Sequence, residues 1–190
     1  MSATSSNLAT RAFGGRADAL LPQIGLAVAG ALLLAISAQL KVQLGPVPFS
    51  FQTLVLLLIA GAYGRNLAVG TVVTYFAMGV AGLPVFAGGV GPATFVGPTG
   101  GFLAGFLPCA FIVGAAVDRG LDRSPLTLAP AMLLGIAVLF AMGFVWLAYG
   151  FGLGAEKAWL GGVQPFIVGD LIKIAIASLA IPAGWALLKR

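Results

Sequence analysis

The stretch AWLGGVQPFIVGDLIKIAIASLAIPAGWALL, residues 158–188, decides the fold class. Asp170 and Lys173 are its only charged residues, and the rest is apolar enough to cross a membrane. A charge inside hydrocarbon costs about 2.5–3.5 kcal/mol on insertion scales, so such residues usually mark a functional site. The i, i+3 spacing places both side chains on one helix face. The pair is either a binding site for a small polar ligand or a private salt bridge that lets the helix insert.

The composition of the whole chain is that of an integral membrane protein. Of its 190 residues, 60% are hydrophobic and 8% are charged, and the mean hydropathy is +1.08. A soluble domain carries roughly 25% charged residues, and about 20 apolar residues suffice for one membrane span. We predict a flexible cytoplasmic segment over 1–19 and a single all-α membrane domain over 20–190. Its six spans, of which the second and third are short, lie near 20–40, 50–64, 67–82, 99–117, 126–150 and 165–188.

The distribution of basic residues predicts the orientation in the membrane. With six spans, both termini share one side, and that side carries the excess of Lys and Arg when it is cytoplasmic. Seven basic residues fall there, against Lys41 and Lys157 on the other side: Arg11, Arg16, Arg65, Arg119, Arg123, Lys189 and Arg190. We therefore predict cytoplasmic termini in a multi-pass protein of the cell (inner) membrane. The net charge of +5 then reports topology, and no basic patch with aromatic partners indicates nucleic-acid binding.

Several kinds of chemistry are excluded by residues that the sequence lacks. It contains no histidine and a single cysteine, Cys109, so histidine-based metal sites, Ser-His triads and disulfides are not expected. An intramembrane aspartyl protease needs two membrane-embedded aspartates, but Asp118 and Asp122 fall at the predicted cytoplasmic end. A channel or a secondary transporter tends to have several intramembrane ionisable groups. We therefore predict a binding protein that is not an enzyme and has no metal or other cofactor.

Three loops on the predicted outer side, 41–50, 82–98 and 151–164, are rich in Gly, Pro and aromatic residues. Such apolar loops are typical of segments that fold back over the end of a helix bundle. Asp170 lies near the same end, because Pro165 suits the first turn of the last helix and each residue rises about 1.5 Å. The convergence of the charged pair and the loops predicts an outward-facing pocket with a lid. The alternative is that Gly and Pro only terminate helices.

A few polar residues fall at the same predicted membrane level as Asp170. Each of them, taken singly, is equally well explained as a helix cap or an interfacial anchor. Together they are candidates to line the pocket: Gln52 and Thr53 at the start of the second span, Thr99 and Gly100 at the start of the fourth, and Tyr149 at the end of the fifth.

A stripe of small residues runs along the first predicted span. Ala27, Ala31 and Ala35 recur every four residues, a spacing that lets another helix approach closely. The stripe is either a packing face inside the bundle or a docking surface for another membrane protein.

Four segments, in order from about residue 20 to 188, resemble the BioY family, the biotin-specific substrate-binding (S) components of energy-coupling factor (ECF) transporters. The resemblance implies a six-helix S-component fold that captures biotin. It also implies a transmembrane coupling (T) protein that docks on the Ala27, Ala31 and Ala35 stripe, and two cytoplasmic ATPase subunits. The segments are GPVPF at 45–49 leading into Gln52 and Thr53, GLPVFAGG at 82–89, GPTGG at 97–101 and GDLIK at 169–173.

Biotin suits these residues chemically. Asp170 would accept hydrogen bonds from the cyclic urea, and Lys173 would donate to the urea oxygen or pair with the carboxylate. Phe86 would cover the ring system, while Gly88 and Gly89 would allow the loop backbone to approach the ligand. The end of biotin that meets the charged pair stays open at this point.

Overall fold

The computed structural model describes residues 8–9 and 20–188. Residues 1–7 and 10–19 of the predicted flexible segment lie outside the described residues. Leu8 and Ala9 are described, and they pack on the chain: Ala9 is buried, and a Cβ added at Gly184 would lie 3.2 Å from Leu8 Cδ2. The helices are α1 Leu20–Gln39, α2 Gln52–Tyr63, α3 Arg65–Val80, α4 Gly100–Asp118, α5 Pro125–Val145, α6 Ala155–Gly162 and α7 Gln164–Leu188.

Short elements complete the described fold. Strands β1 Lys41–Gln43 and β2 Pro48–Ser50 form an antiparallel hairpin, α5 continues into a π-helical turn at Trp146–Gly150, and 3₁₀ turns cover Pro92–Phe95 and Leu121–Arg123. The predicted loop 151–164 is largely helical instead, because its segment Ala-Glu-Lys-Ala-Trp-Leu consists mostly of good helix formers. The extra helix α6 leads directly into α7.

Four segments of the described chain are long and apolar enough to cross a membrane: Leu20–Gln39, Gly100–Asp118, Pro125–Gly150 and Ala155–Leu188. Helices α2 and α3 occupy the second and third predicted spans, but they have only 12 and 16 residues. At about 1.5 Å per residue they reach roughly 18 and 24 Å, less than the ~30 Å of a bilayer core. The structure thus has a helix at each predicted span, and at four of these spans the helical segment is long and apolar enough to cross a membrane.

Helix α4 lies at the centre of the bundle, since 72% of its most apolar 18-residue stretch is buried. Its closest neighbour is α5, which it can approach because Gly105 has no side chain. A Cβ at Gly105 would lie 2.9 Å from Leu139 Cα. Small residues play this role in membrane helices, where close backbone packing replaces the hydrophobic effect as the source of stability.

Helix α1 packs against α2 and α3, and its alanine stripe is largely internal. Ala31 is fully buried and Ala27 is buried, while Ala35 is partly buried and contacts the core. Packing inside the chain therefore accounts for the spacing of the first two alanines. Docking of another helix on this stripe stays a prediction, and it would require α1 to move outward. The exposed side of α1 instead carries large apolar residues: Leu20, Leu21, Ile24, Val28, Leu32, Leu33 and Ile36.

The loop 82–98 is fastened to the bundle through its backbone carbonyls. Four side chains from different elements each donate one hydrogen bond to it, so the loop is held on several sides beside the β1–β2 hairpin. The bonds run from Gln39 Nε2 to Pro84 O (3.2 Å), Lys41 Nζ to Ala87 O (2.6 Å), Tyr75 OH to Val85 O (3.0 Å) and Trp146 Nε1 to Gly97 O (2.8 Å).

Candidate ligand-binding site

Asp170 and Lys173 form a buried ion pair on α7. Lys173 Nζ lies 2.7 Å from Asp170 Oδ1, and the side chains of Lys173 and Asp170 are 7% and 3% exposed, respectively. Thr53 on α2 completes the arrangement, because its hydroxyl donates to Asp170 Oδ1 at 2.7 Å and accepts from Lys173 Nζ at 2.9 Å. Lys173 also donates to Ser50 O at 2.8 Å. The pair thus joins α7 to the end of the hairpin and the start of α2.

Phe49, in strand β2, covers the ammonium group. Lys173 Nζ lies 4.2 Å from the centroid of the Phe49 ring, a cation–π distance. The same ring stacks on Phe166 with centroids 5.8 Å apart. Since Phe166 precedes Asp170 by one helical turn, the charged pair has an apolar, aromatic wall beside it.

A cavity opens next to the pair, between the hairpin, the loop 82–98 and helices α2, α4, α5 and α7. Six of the predicted site residues line it, and they come from four separate parts of the sequence: Gln52, Thr53, Gly88, Thr99, Asp170 and Lys173. The structure therefore brings together the Gln-Thr, Gly-Gly, Pro-Thr-Gly and Gly-Asp segments that the sequence singled out.

The other four predicted site residues do not line this cavity. Phe86 is buried in an aromatic cluster with Tyr75, Phe76 and Phe95. Tyr149 is 72% exposed and borders a groove on the outer side of α4 and α5. Gly100 packs on backbone, since a Cβ there would lie 1.9 Å from Phe95 O, and Gly89 faces Thr94. Phe86 and Gly89 face each other across an isolated bridge that shapes the loop.

The apolar walls of the cavity were not among the predicted site residues. Phe102 and Phe106 lie one turn apart on α4, as Phe166 and Asp170 do on α7. The i, i+4 spacing of these aromatics was a usable signal in the sequence, but it is equally typical of core packing. The lining residues outside the predictions are Val47, Pro48, Ser50, Ala87, Phe102, Leu103, Phe106, Leu139, Phe140 and Phe166.

Thr99 is the one lining residue with a buried polar atom that lacks a partner among the described residues. Its hydroxyl oxygen has no hydrogen bond, and Gly88 approaches it so closely that a Cβ at position 88 would lie 2.6 Å away. Buried polar atoms are usually paired, and an exception in a cavity indicates a contact made to a ligand or to water.

The site can bind a small molecule with a polar, hydrogen-bonding head and an apolar body. The charged pair, Thr53 and Thr99 supply the polar contacts, and the aromatic residues supply the walls, which is the usual division of roles in a ligand pocket. Within residues 8–9 and 20–188, no three His, Cys, Asp or Glu side chains cluster as metal ligands do.

Comparison with known proteins agrees with this geometry. The BioY family model matches residues 8–190. The "Probable biotin transporter BioY" of Pyrococcus horikoshii is 35% identical over 156 residues, covering 82% of this chain and 91% of the relative. The "Biotin transporter BioY" of Rhodobacter capsulatus is 39% identical over 162 residues, covering 78% of this chain and 85% of the relative.

The fold has a solved counterpart. The crystal structure of the S-component for biotin from an ECF-type ABC transporter superposes with a TM-score of 0.77 at 22% identity, covering 90% of this chain and 92% of the other. The resemblance inferred from four sequence segments is therefore confirmed, and so is the expectation of a transport protein that is not an enzyme. The chain belongs to the BioY family.

Proposed function

We propose that the chain is the biotin-binding S component of an ECF-type vitamin uptake transporter. The observation that carries the proposal is the buried Asp170–Lys173 pair, bonded to Thr53, in the polar corner of an otherwise aromatic and aliphatic cavity. A salt bridge needed only for insertion has no reason to border a cavity. The relatives described as biotin transporters support the choice of ligand.

Biotin matches the cavity group by group. Its cyclic urea carries two N–H donors and one carbonyl acceptor, and a carboxylate is the strongest acceptor that a protein offers to such donors. Its fused rings are apolar enough to pack between Phe102, Phe106 and Phe166, which line the cavity. We propose ligand contacts for the six lining residues Gln52, Thr53, Gly88, Thr99, Asp170 and Lys173.

The cavity is proposed to face outward beneath the loop 82–98, with both termini in the cytoplasm. The distribution of charges at the two ends of the bundle supports this orientation. At the end away from the hairpin, Arg65 pairs with Asp118 at 3.8 Å and Arg123 pairs with Asp122 at 3.5 Å. Basic residues concentrate on the cytoplasmic side of membrane proteins. The hydrogen bonds to the carbonyls of Val85 and Ala87 would hold the loop in place as a lid.

Transport is proposed to need further subunits. The sequence has no Walker motif, and its structural relative is the S-component of an ECF-type ABC transporter. A transmembrane coupling protein and ABC-type ATPase subunits would therefore supply the energy, in the cell membrane.

Equilibrium binding to the purified chain in detergent tests the proposal. We expect saturable binding of biotin, weaker binding of desthiobiotin, which keeps the urea but lacks the thioether ring, and no binding of thiamine. A folded chain that binds thiamine as well as biotin, or neither, would contradict the function. Counterflow of labelled biotin in proteoliposomes with the chain alone distinguishes a transporter that works by itself from a binding subunit that needs partners. A binding subunit should give no counterflow.

A further inference from the structure

Tyr75, on α3, is not among the described residues that line the cavity, yet its hydroxyl bonds to two parts of the site at once. The side chain is fully buried. Its hydroxyl accepts a hydrogen bond from Gln52 Nε2 at 2.7 Å and donates one to Val85 O at 3.0 Å. Gln52 lines the cavity, and Val85 belongs to the loop 82–98, which borders it. The hydroxyl therefore joins a lining side chain on α2 to the backbone of the loop.

The backbone fixes the direction of these two hydrogen bonds. A carbonyl oxygen can only accept, so the single hydroxyl proton of Tyr75 goes to Val85 O. The lone pairs of the hydroxyl must then face an N–H group, and the amide of Gln52 can meet this demand only with its nitrogen. Val85 O thus determines, through Tyr75, which end of the Gln52 amide is held in the interior and which end is left over.

The end that is left over is the carbonyl oxygen of Gln52, which retains acceptor capacity. Its contact among the described residues is the Ser50 hydroxyl at 3.4 Å, longer than the roughly 2.5–3.0 Å of a good O–H···O bond. An N–H group of a ligand can therefore bond to this oxygen. The opposite amide orientation would present two N–H donors instead and would repel such a ligand group.

Aromatic packing keeps the Tyr75 ring in place. The ring of Phe86, in the loop 82–98, meets it edge to face, with centroids 5.2 Å apart and an interplanar angle of 88°. Gly79, one turn after Tyr75 on α3, makes room for this contact, because a Cβ there would overlap the Phe86 ring. The loop thus holds both the ring and the hydroxyl of Tyr75.

We propose that Tyr75 is a positioning residue that fixes the Gln52 amide with its carbonyl oxygen as an acceptor for the ligand and makes this orientation depend on the closed loop 82–98. This inference rests on the proposed function. When the loop moves away, the Val85 carbonyl leaves with it, and the Tyr75 hydroxyl can turn its proton toward Gln52. The amide then loses its fixed orientation, so the acceptor is assembled only beneath a closed loop.

A double-mutant cycle on the purified full chain in detergent tests the positioning role, with the equilibrium Kd for biotin as the measurement. Tyr75→Phe keeps the packed ring and removes the hydroxyl, while Gln52→Met removes the amide at similar length. We expect Tyr75→Phe to raise Kd about tenfold, because it leaves buried polar partners unbonded. Adding it to Gln52→Met should raise Kd no further, since a residue that acts through Gln52 then has nothing to position.

Tyr63→Phe is the matched control. The Tyr63 hydroxyl also donates to a backbone carbonyl, Leu26 O at 3.3 Å, but it belongs to a residue roughly 16 Å along α2 from Gln52. Its loss should leave the Kd for biotin within a few fold of wild type. The inference is wrong if the effects of Tyr75→Phe and Gln52→Met multiply, or if Tyr75→Phe binds biotin as wild type does. Failure of wild type to bind biotin would overturn the proposed function, and the inference with it.

Hydrogen exchange at saturating biotin tests the link to the loop without Tyr75→Phe, should that variant not fold. We expect biotin to slow exchange of the backbone amides at 85–87 in wild type. The slowing should be several-fold smaller in Gln52→Met, in which the ligand no longer reaches Tyr75 through the amide. Equal slowing in the two proteins would overturn the dependence of Gln52 on the loop.

Discussion

Gly169 packs directly on the ring of Phe49: a Cβ at position 169 would lie 2.6 Å from both Cε2 and Cζ of that ring. The ring in turn lies 4.2 Å from Lys173 Nζ and stacks on Phe166. Because Gly169 has no side chain, it leaves room for the Phe49 ring, and the hairpin can therefore pack over the charged pair. Two segments that are more than a hundred residues apart in sequence, GPVPF and GDLIK, meet at this contact.

Gly169→Ala should weaken biotin binding while favouring the helix. Alanine stabilises a helix by about 1 kcal/mol relative to glycine, so the change by itself stabilises α7. The added methyl must displace the rigid Phe49 ring, which covers the Lys173 ammonium and stacks on Phe166 in the cavity lining. We expect about a tenfold or larger rise in Kd, measured by equilibrium binding in detergent.

Gly70→Ala is the matched control, because Gly70 is also helical and a Cβ there meets nothing within 4 Å. It should leave the affinity unchanged. Normal biotin affinity in a folded Gly169→Ala protein would show that the Phe49 ring does not shape the site.

Thr53→Val should weaken binding because the Thr53 hydroxyl serves both charges. It donates to Asp170 Oδ1 and accepts from Lys173 Nζ, and valine keeps the shape without either bond. A buried polar group left without its partner costs about 1–3 kcal/mol, which corresponds to a factor of about 5 to 150 in Kd. Thr53→Ser keeps the hydroxyl and should bind within a few fold of wild type. Equal affinities of the valine and serine variants would contradict a role for the hydroxyl.

The sequence was sufficient to predict the membrane class, the helix at each span and the charged pair, since each depends on local composition or on spacing within one helix. It was also sufficient to predict that Gln52, Thr53, Gly88 and Thr99 lie near Asp170, because loops on one side of a bundle converge. It could not show that Phe86 faces an aromatic cluster with Tyr75 instead of the cavity. The direction of a loop side chain depends on tertiary packing, which no local pattern in a Gly- and Pro-rich segment encodes.

Asp170→Asn and Lys173→Ala should each reduce biotin affinity strongly. Either change leaves a buried charge without its partner, and truncating one member of such a pair typically costs about 2–5 kcal/mol, which is tens to thousands of fold in Kd. Equilibrium binding to the folded variants measures the effect. If both variants bind biotin with nearly normal affinity, the pair is only a structural salt bridge.

Trp185→Phe should lower stability and leave biotin affinity intact. Trp185 Nε1 donates to the buried Asp122 Oδ2 at 2.5 Å, and Arg123 stacks over the Trp185 ring at 3.5 Å. Phenylalanine keeps a ring but removes the donor, at a cost of about 1–3 kcal/mol. Residue 185 lies about 22 Å along α7 from residue 170, so the binding site should not respond.

Thermal unfolding in detergent measures this change, and Tm should fall by roughly 2–4 °C per kcal/mol. Trp159→Phe is the control, since Trp159 is 47% exposed and its replacement should leave Tm nearly unchanged. A large loss of biotin affinity in a stable Trp185→Phe protein would show that the two ends of α7 are coupled.

Ala31→Trp tests the two explanations of the alanine stripe. Ala31 is fully buried between α1 and the rest of the bundle, and enlarging a well-packed core residue costs about 1–3 kcal/mol or more. We expect reduced yield of folded protein and a joint loss of biotin binding and uptake. Val28→Trp places the same side chain at a position on α1 that is 41% exposed, and it should leave biotin affinity within a few fold of wild type.

Uptake of labelled biotin in cells that contain the coupling protein and the ATPase subunits, measured beside binding to the purified chains, distinguishes the explanations. A partner that docks on the stripe itself predicts a well-expressed Ala31→Trp protein with normal affinity and little uptake, which would contradict the internal packing seen here. Loss of uptake with normal affinity in Val28→Trp would instead place the partner on the exposed apolar side of α1. Normal affinity and uptake in both variants would show that α1 tolerates bulk at either position and contacts no partner there.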